Sequence, residues 1–471
     1  KKTKSSSSMD VDASSELKTK KTVSWTDAES KETKVKKAKS VATKQSATET
    51  FTDLFWHLAN VSPEVRVQAS ATMVETLLGV EKEGAKLPQT KNGFSNVTVE
   101  LDYTLGRLVK GLLSSRDAAR QGFATALAEI LKYIKVDLME VTDLIQEEIV
   151  KAKSNPDVRS KDRRLGLIFA VMALIRSGRI TNAFAQASTQ SATTQIVVKL
   201  LEELWSSETL KQPQILELTI EAVFMLLGEV PKQLFQSHIH PIFAKVLASP
   251  AKDWQPEYIS LMLALHKQFG YHPTSDNPQI WDRNEAVLGP KNVLNLKEAL
   301  NITVRTVPRA NKVWQHSLEV LLASGAESHA NLARFCTTIL DEMLKSDSTD
   351  HMYLALFVVR SFLPLITPSH LDALLTPEVL NTVFIHIPKK KSLLNDVCKQ
   401  LVQALVDHSK KSSEFALAVL CRLSGSHGDL TVLDHFVKPG VMGQLIELLD
   451  SDCMNKYAEF LAKEFYEAAV P

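Results

Sequence analysis

Apolar side chains recur with the 3.6-residue period of amphipathic helices from about Phe51 to the end of the chain. The pattern is clear in Leu101, Leu105, Leu108 and Leu112, which are spaced by steps of 4, 3 and 4 residues. Gly and Pro, which interrupt helices, number only 16 and 18 among the 471 residues. The sequence therefore predicts an all-α fold and gives almost no support for strands.

Short breaks divide this pattern into apolar segments of about 12 to 20 residues, the lengths of helices in HEAT and armadillo repeats. The segment that ends near Leu112 is followed by a second apolar face, formed by Ala119, Phe123, Leu127, Ile130 and Leu131. We expect Ser115 to cap this second helix and the two helices to form an antiparallel pair. An earlier segment, Glu64–Leu78, aligns with Asp117–Leu131. The prediction is a HEAT/armadillo-like α-solenoid.

Composition divides the chain into four parts. Residues 1–48 are mostly Lys, Ser, Thr and Ala with a single aromatic residue, Trp25, and they predict a disordered basic tail. Residues 49–270 are expected to form a first helical-repeat array. Residues 271–293 contain three prolines and predict a loop. Residues 294–471 are expected to form a second array that is continuous with the first.

The charge is unevenly distributed, although the net charge of the chain is only +1. Residues 1–48 contain twelve Lys against six Asp and Glu, which gives about +6 in the tail and leaves about −5 on the remainder. The tail sequence KVKKAK, with Lys34, Lys36, Lys37 and Lys39, is typical of a nuclear localisation signal or an RNA-binding arm. A tail that is merely solvated is the alternative.

Several kinds of site find little support. The cysteines form no CxxC pair, which argues against a zinc ribbon or a disulfide framework; they are Cys336, Cys398, Cys421 and Cys453. His238 and His240 have a spacing that could bind a metal ion, but no carboxylate cluster adjoins them, so a solvated loop is favoured. No run of about 18 apolar residues predicts a membrane helix. We expect no cofactor, metal ion, small-molecule substrate or membrane partner.

Basic residues are the strongest candidates for a binding surface. Those near the first helix pairs, which we call the basic ridge, are Arg107, Lys110, Arg116, Arg120, Lys161, Arg163 and Arg164. A later run consists of Lys389, Lys390 and Lys391. These cations could bind RNA phosphates, with salt-dependent affinity, or an acidic protein. The alternative is a solvated face with pairing inside the repeats, for example Arg120 with Glu64 or Asp117.

Three segments resemble a known family. The run YTLGRLVKGLLSSRDAARQGF, from Tyr103 to Phe123, closely resembles the signature of the DNA polymerase V / polymerase phi family, also called the Myb-binding protein 1A-like family. The flanking runs FWHLA, at residues 55–59, and DRRLGLIF, at residues 162–169, agree with it in order. Members also have an acidic stretch and a basic tail after the repeats. This chain shows neither, which suggests a truncation.

The resemblance implies a helical-repeat scaffold in the nucleus and nucleolus that acts in ribosomal RNA production and large-subunit assembly. It implies pre-ribosomal RNA and ribosome-assembly proteins as partners, with chromatin or transcription factors as further ones. The alternative is a protein-only nuclear adaptor or transcriptional co-regulator. The sequence LDALL at residues 371–375 has the LxxLL form that such co-regulators use, but core packing explains these leucines better.

The family name also suggests a DNA polymerase. Polymerisation requires paired carboxylates that hold two Mg²⁺ ions beside a triphosphate pocket. Asp10 and Asp12 form a D-x-D pair, but this pair lies in the tail, where a preorganised site is implausible. We therefore predict that this segment is not an enzyme.

Overall fold

The computed structural model describes residues 50–206, 213–250, 253–278, 281–306, 309–425 and 430–469. Within these ranges the chain is helical, and its one β-type pairing is an isolated antiparallel bridge between Leu87 and Val97. None of the helices described there is long and apolar enough to span a membrane. The predicted tail, with Lys34, Lys36, Lys37 and Lys39, lies outside the described residues.

The α-helices of the first half are α1 (Leu54–Leu58), α2 (Pro63–Glu83), α3 (Val99–Leu112), α4 (Asp117–Tyr133), α5 (Leu138–Lys153), α6 (Ser160–Arg176), α7 (Arg179–Phe184), α8 (Gln190–Leu204), α9 (Pro213–Gly228), α10 (His240–Leu247) and α11 (Pro256–Phe269). Those of the second half are α12 (Pro290–Asn301), α13 (Lys312–Leu322), α14 (Ser328–Phe335), α15 (Asp341–Leu344), α16 (Thr349–Phe362), α17 (Leu371–Leu374), α18 (Pro377–His386), α19 (Asn395–Ser409), α20 (Ser413–Ser424), α21 (Leu430–Phe436), α22 (Val441–Ile446) and α23 (Ser451–Ala469). Turns of π-helix, Phe235–Ile239 and Cys336–Leu340, lead directly into α10 and α15.

Helix α3 forms where the leucine spacing predicts it. The hydroxyl of Thr98 caps its first turn by accepting a hydrogen bond from the Leu101 amide at 3.3 Å. The leucines of its predicted apolar face are at most 1% exposed. Each buried leucine contributes about 1.5–3 kcal/mol relative to an exposed one. On α4 the predicted face is also turned inward, with only Phe123 half-buried.

The helices stack in series. In one layer each helix packs against the next, in the order α2, α4, α6, α9, α11, α13, α16, α19. In the other layer α3 packs against α5 and α5 against α8. The layers are joined by pairs such as α3 with α4 and α5 with α6. This arrangement is that of an α-solenoid of the HEAT type, so the predicted fold class is confirmed.

Residues Thr50–Pro471 form one compact unit. The segment predicted as a loop, 271–293, contains a 3₁₀ turn at Pro273–Ser275 and the start of α12. It also contributes Trp281 and Leu288 to the buried core. The LxxLL leucines of the later sequence are at most 1% exposed, which confirms that they belong to the core.

A buried histidine lies between α9 and α13. His316 is 5% exposed, and its ring stacks on Phe224 with 4.6 Å between the ring centroids. Its Nδ1 has no hydrogen-bond partner among the residues that the structure describes. Burial lowers the pKa of His316, and the carboxylate of Glu221, 3.9 Å from Nε2, opposes this shift only in part.

This histidine predicts that acid weakens the fold. Because its pKa is lower in the folded state, the unfolded chain binds the proton more readily, and stability falls as the pH drops through the ordinary imidazole pKa of about 6.5. We expect the urea-unfolding midpoint to decrease between about pH 7.5 and 5.5, and to decrease less in His316→Gln. His238→Gln, which changes an exposed histidine, should retain the wild-type slope. Equal slopes in all three proteins would contradict the prediction.

Candidate nucleic-acid and partner surface

Arg116 lies at the corner between α3 and α4. It is exposed and occupies the N-cap position of α4, where its side chain makes no capping bond. Its amide donates to the hydroxyl of Ser114 at 3.2 Å, and its Nη2 donates to the carbonyl oxygen of Ala59 at 3.0 Å. The predicted cap at Ser115 is therefore wrong. Arg116 stays at the surface, but one end of its guanidinium holds the end of α1.

Arg120 does not belong to the basic ridge. It is only 2% exposed, and it bonds the carbonyl oxygen of Ser114 and the carboxylates of Asp117 and Asp162. The pairing with Asp117 is one of the two predicted for it, whereas Glu64 instead accepts a hydrogen bond from Ser62. The assignment of Arg120 to a surface is wrong because α6 packs against this side of α4.

The sequence prediction also assigned Arg164 to the surface, and this is wrong. It is 4% exposed, and its Nη1 lies 3.3 Å from the backbone oxygen of Glu203 and 3.7 Å from its Oε2. The physical reason is that α6 packs against α4, α5, α8 and α9, so little of its circumference meets solvent. Arg163 is half-buried and donates to the Val158 carbonyl oxygen at 3.3 Å.

The guanidinium of Arg107 also makes contacts within the fold. Its guanidinium lies 4.5 Å from the ring centroid of Phe55, and its Nη1 donates to the hydroxyl of Tyr103 at 2.6 Å. Lys110, one turn further along α3, and Lys161, at the start of α6, are exposed. Neither lysine has an ionic partner among the described residues. Together with the exposed Arg116, these lysines remain available to bind a partner.

The lysine run after α18 forms a hydrogen-bonded turn. Lys389, Lys390 and Lys391 are exposed, and none of them has an acidic partner in the described ranges. The turn is held by Asn395, whose Nδ2 donates to the carbonyl oxygens of His386 and Ile387 at 3.1 and 2.7 Å. Its lysines are therefore presented on an ordered backbone, as a surface patch requires.

The histidine pair has a structural role. The solvated loop predicted here is wrong, because His238 lies in the π-helical turn and His240 begins α10. The Nε2 of His240 lies 3.0 Å from both carboxylate oxygens of Asp276, which also accepts from the hydroxyl of Tyr271 at 2.7 Å. In the part of the chain that the structure describes, no group of three or more His, Cys, Asp or Glu could hold a metal ion.

Sequence reasoning missed several side-chain contacts that hold the starts of helices or join α2 to α4. Arg66 of α2 donates to the carbonyl oxygens of Asn60 and Val61 and to Oε1 of Gln121 on α4. Arg159 donates to Asp162 at 2.8 Å, and this hydrogen bond raises the pKa of Arg159. The spacing of three residues between Arg159 and Asp162 was the available signal for that pair.

Comparison with known proteins agrees with the resemblance. A model of the DNA polymerase phi family matches residues 103–470. Myb-binding protein 1A of Mus musculus is 27% identical over 345 residues, which cover 70% of this chain and 22% of that protein. The rDNA transcriptional regulator pol5 of Schizosaccharomyces pombe is 21% identical over 422 residues, which cover 86% of this chain and 41% of that protein. The chain thus spans less than half the length of these relatives.

Solved structures show only a distant likeness. The crystal structure of Kap121p bound to RanGTP shares 12% identity at a TM-score of 0.24, over 88% of this chain and 46% of that one. The crystal structure of an engineered protein shares 14% identity at a TM-score of 0.23, over 84% of this chain and 97% of that one.

Proposed function

This chain belongs to the DNA polymerase phi family, and from that premise we propose that it is a nuclear and nucleolar scaffold for pre-ribosomal RNA and ribosome-assembly proteins. The match over residues 103–470 carries the proposal. The name of the pol5 relative, a regulator of rDNA transcription, supports a role at ribosomal DNA or its transcripts. Serially stacked helices leave a long surface on which RNA and proteins can bind together.

The electrostatic part of the proposal rests on a few exposed lysines. Lys110 and Lys161 lie on neighbouring helix pairs, and Lys389–Lys391 form a separate patch in the second half of the chain. Because Arg120 and Arg164 are buried, we expect these exposed lysines, together with the exposed Arg116, to displace counterions from RNA phosphates.

A second candidate is a protein-only adaptor or transcriptional co-regulator. The name of the Myb-binding relative favours it, as does the burial of Arg120 and Arg164, which weakens a continuous cationic surface. We also propose that this segment is not an enzyme, because the D-x-D pair of Asp10 and Asp12 lies in the predicted tail, where a preorganised two-metal site is implausible. Nucleotide incorporation by the purified full-length protein, lost on mutation of a named carboxylate, would overturn that part of the proposal.

Salt dependence separates the RNA scaffold from the adaptor. We expect affinity for a pre-ribosomal RNA fragment to fall with rising salt. In Lys110→Glu/Lys161→Glu, the slope of log affinity against log salt should be smaller by about 1.5 to 2, because two phosphate contacts are lost. Filter binding or fluorescence anisotropy across a salt series measures the affinity and its salt dependence for each protein. Arg120→Glu would not be an informative variant, because reversing this buried charge would disrupt the core.

The control is Lys410→Glu/Lys456→Glu, which changes the net charge equally. These exposed lysines pair with Asp407 and Asp452, which lie three and four residues earlier in the chain. The control should keep the wild-type slope. An equal loss in both double variants would mean that only total charge matters, and binding unaffected by salt would favour the protein-only adaptor.

A further inference from the structure

A cavity of about 1050 Å³ interrupts the regular stacking of the helices. It lies where the π-helical turn Phe235–Ile239, the end of α11 and the irregular segment before α12 meet. Phe235, Phe269 and Trp281 line it, together with Arg283 and Leu294. A volume of this size is sufficient for a short peptide or a small molecule.

The walls of the cavity are held by internal bonds. The rings of Phe235 and Phe269 stack with 4.8 Å between their centroids. The hydroxyl of Tyr271 donates to Asp276, which in turn contacts His240, so the segment after α11 is tied to α10. π-Helical turns and long irregular connections both occur often at functional sites. The cavity is therefore a built feature of the fold.

Two exposed side chains in the cavity have unused binding capacity. The indole Nε1 of Trp281 also has no hydrogen-bond partner among the described residues, but this atom is buried and does not reach the cavity surface. Leu294 is 55% exposed. Arg283 is exposed and has no ionic partner among the described residues. Together Leu294 and Arg283 offer an apolar contact and one positive charge.

The charge and burial of the lining distinguish between a peptide and a nucleic acid. Lys291 is already paired with Asp282 at 2.8 Å, which leaves Arg283 as the lining cation without a described partner. One free cation beside an acidic residue suits a single carboxylate better than a chain of phosphates. Phe235 and Trp281 are at most 5% exposed, and the ring of Phe235 covers one face of the half-buried Phe269, so the lining offers little aromatic surface on which bases could stack.

We propose that this cavity binds an extended segment of a partner protein that carries an acidic residue beside an apolar one. The carboxylate pairs with Arg283, and the apolar side chain packs against Leu294 and the half-buried Phe269. The proposal goes beyond the scaffold function and does not depend on RNA binding.

A random dodecapeptide display library tests this with the full chain as the target. Counter-selection uses Arg283→Glu/Leu294→Glu, in which both changed side chains are exposed, with the unfolding midpoint checked first. Enriched peptides should place Asp or Glu next to Leu, Ile or Phe. A synthetic copy should shift the indole N–H resonance of Trp281 and bind about fivefold more weakly to Arg283→Gln, the effect of losing one exposed ion pair.

Trp314 is the internal reference for this measurement. It is equally buried, its Nε1 donates to Thr303 at 3.1 Å, and it does not line the cavity, so its resonance should not move. Failure to enrich any peptide would overturn the proposal, as would peptides that bind the double variant equally or leave Trp281 unshifted. A uridine decanucleotide that binds here more tightly than the peptides would instead make the cavity a nucleic-acid site. The lysine variants test RNA binding elsewhere, so failure of one proposal does not affect the other.

Discussion

Replacing Gly122 by Ala should destabilise the first repeats by about 3 kcal/mol or more, at the upper end of overpacking effects. A Cβ atom on Gly122 would lie 1.8 Å from the carbonyl oxygen of Leu58 and 2.8 Å from its carbonyl carbon. These are backbone atoms, so no rotamer change can relieve the clash. Helix α1 must move away from α4, which uncovers Leu58 and Phe55, now at most 3% exposed.

Gly79→Ala is the matched control for this substitution. Gly79 lies within α2, is exposed, and has no atom within 4 Å of the position that a Cβ would take. Alanine should therefore stabilise the helix by about 0.5–1 kcal/mol through backbone entropy alone. Urea unfolding measures the change in stability of each variant. Amide exchange in α1 shows whether the loss in Gly122→Ala arises at this helix. If Gly122→Ala were as stable as the wild type, the close approach of α1 to α4 would not be required.

The fold class was accessible from sequence because it depends on periodicity. The leucine steps of α3 place one face inward whatever the neighbouring helices are. The short similarity between Glu64–Leu78 and Asp117–Leu131 also has a physical basis. These segments lie in α2 and α4, which pack directly against each other in the same layer.

The surface residues were harder to predict, because the apolar face of a helix does not indicate how many other helices pack against its remaining sides. Arg120 and Arg164 follow the polar positions of their helices, yet each is buried, since neighbouring helices also cover the flanks. Only the positions of acidic residues such as Asp162 in three dimensions reveal which cations are neutralised. Lys110 and Lys161 are exposed and stay candidates for a binding surface, whereas the assignment of these two arginines to a surface is wrong.

The cavity illustrates the same limit. The prolines of 271–293 indicated a break in the helical pattern, but the pattern contains nothing that predicts the π-helical turn at Phe235–Ile239. A residue in a predicted loop is expected to be exposed, yet Trp281 is buried. A leucine on a helix is expected to be buried, yet Leu294 of α12 is exposed. A hollow between elements depends on how several irregular segments meet, and local sequence carries no information about that.

Replacing Asp162 by Ala should lower the stability of the chain by about 3–5 kcal/mol, because it leaves a buried positive charge without its buried partner. The side chains of Asp162 and Arg120 are 4% and 3% exposed, with 3.3 Å between Oδ1 and Nη1. Asp162 also accepts from Arg159 in the first turn of α6, where a carboxylate favours the helix dipole. The loss should appear in urea unfolding and as faster amide exchange in α4 and α6.

Asp117→Ala is the control, because Asp117 pairs with the same arginine while its own side chain is 81% exposed. Removing it should cost less than about 1 kcal/mol. Comparable losses in both variants would mean that the two carboxylates share the charge of Arg120 equally. The double variant Arg120→Met/Asp162→Leu removes both charges and should recover most of the stability lost in Asp162→Ala. If the double variant also binds the pre-ribosomal RNA fragment with the wild-type salt dependence, the buried arginine joins the repeats and takes no part in RNA binding.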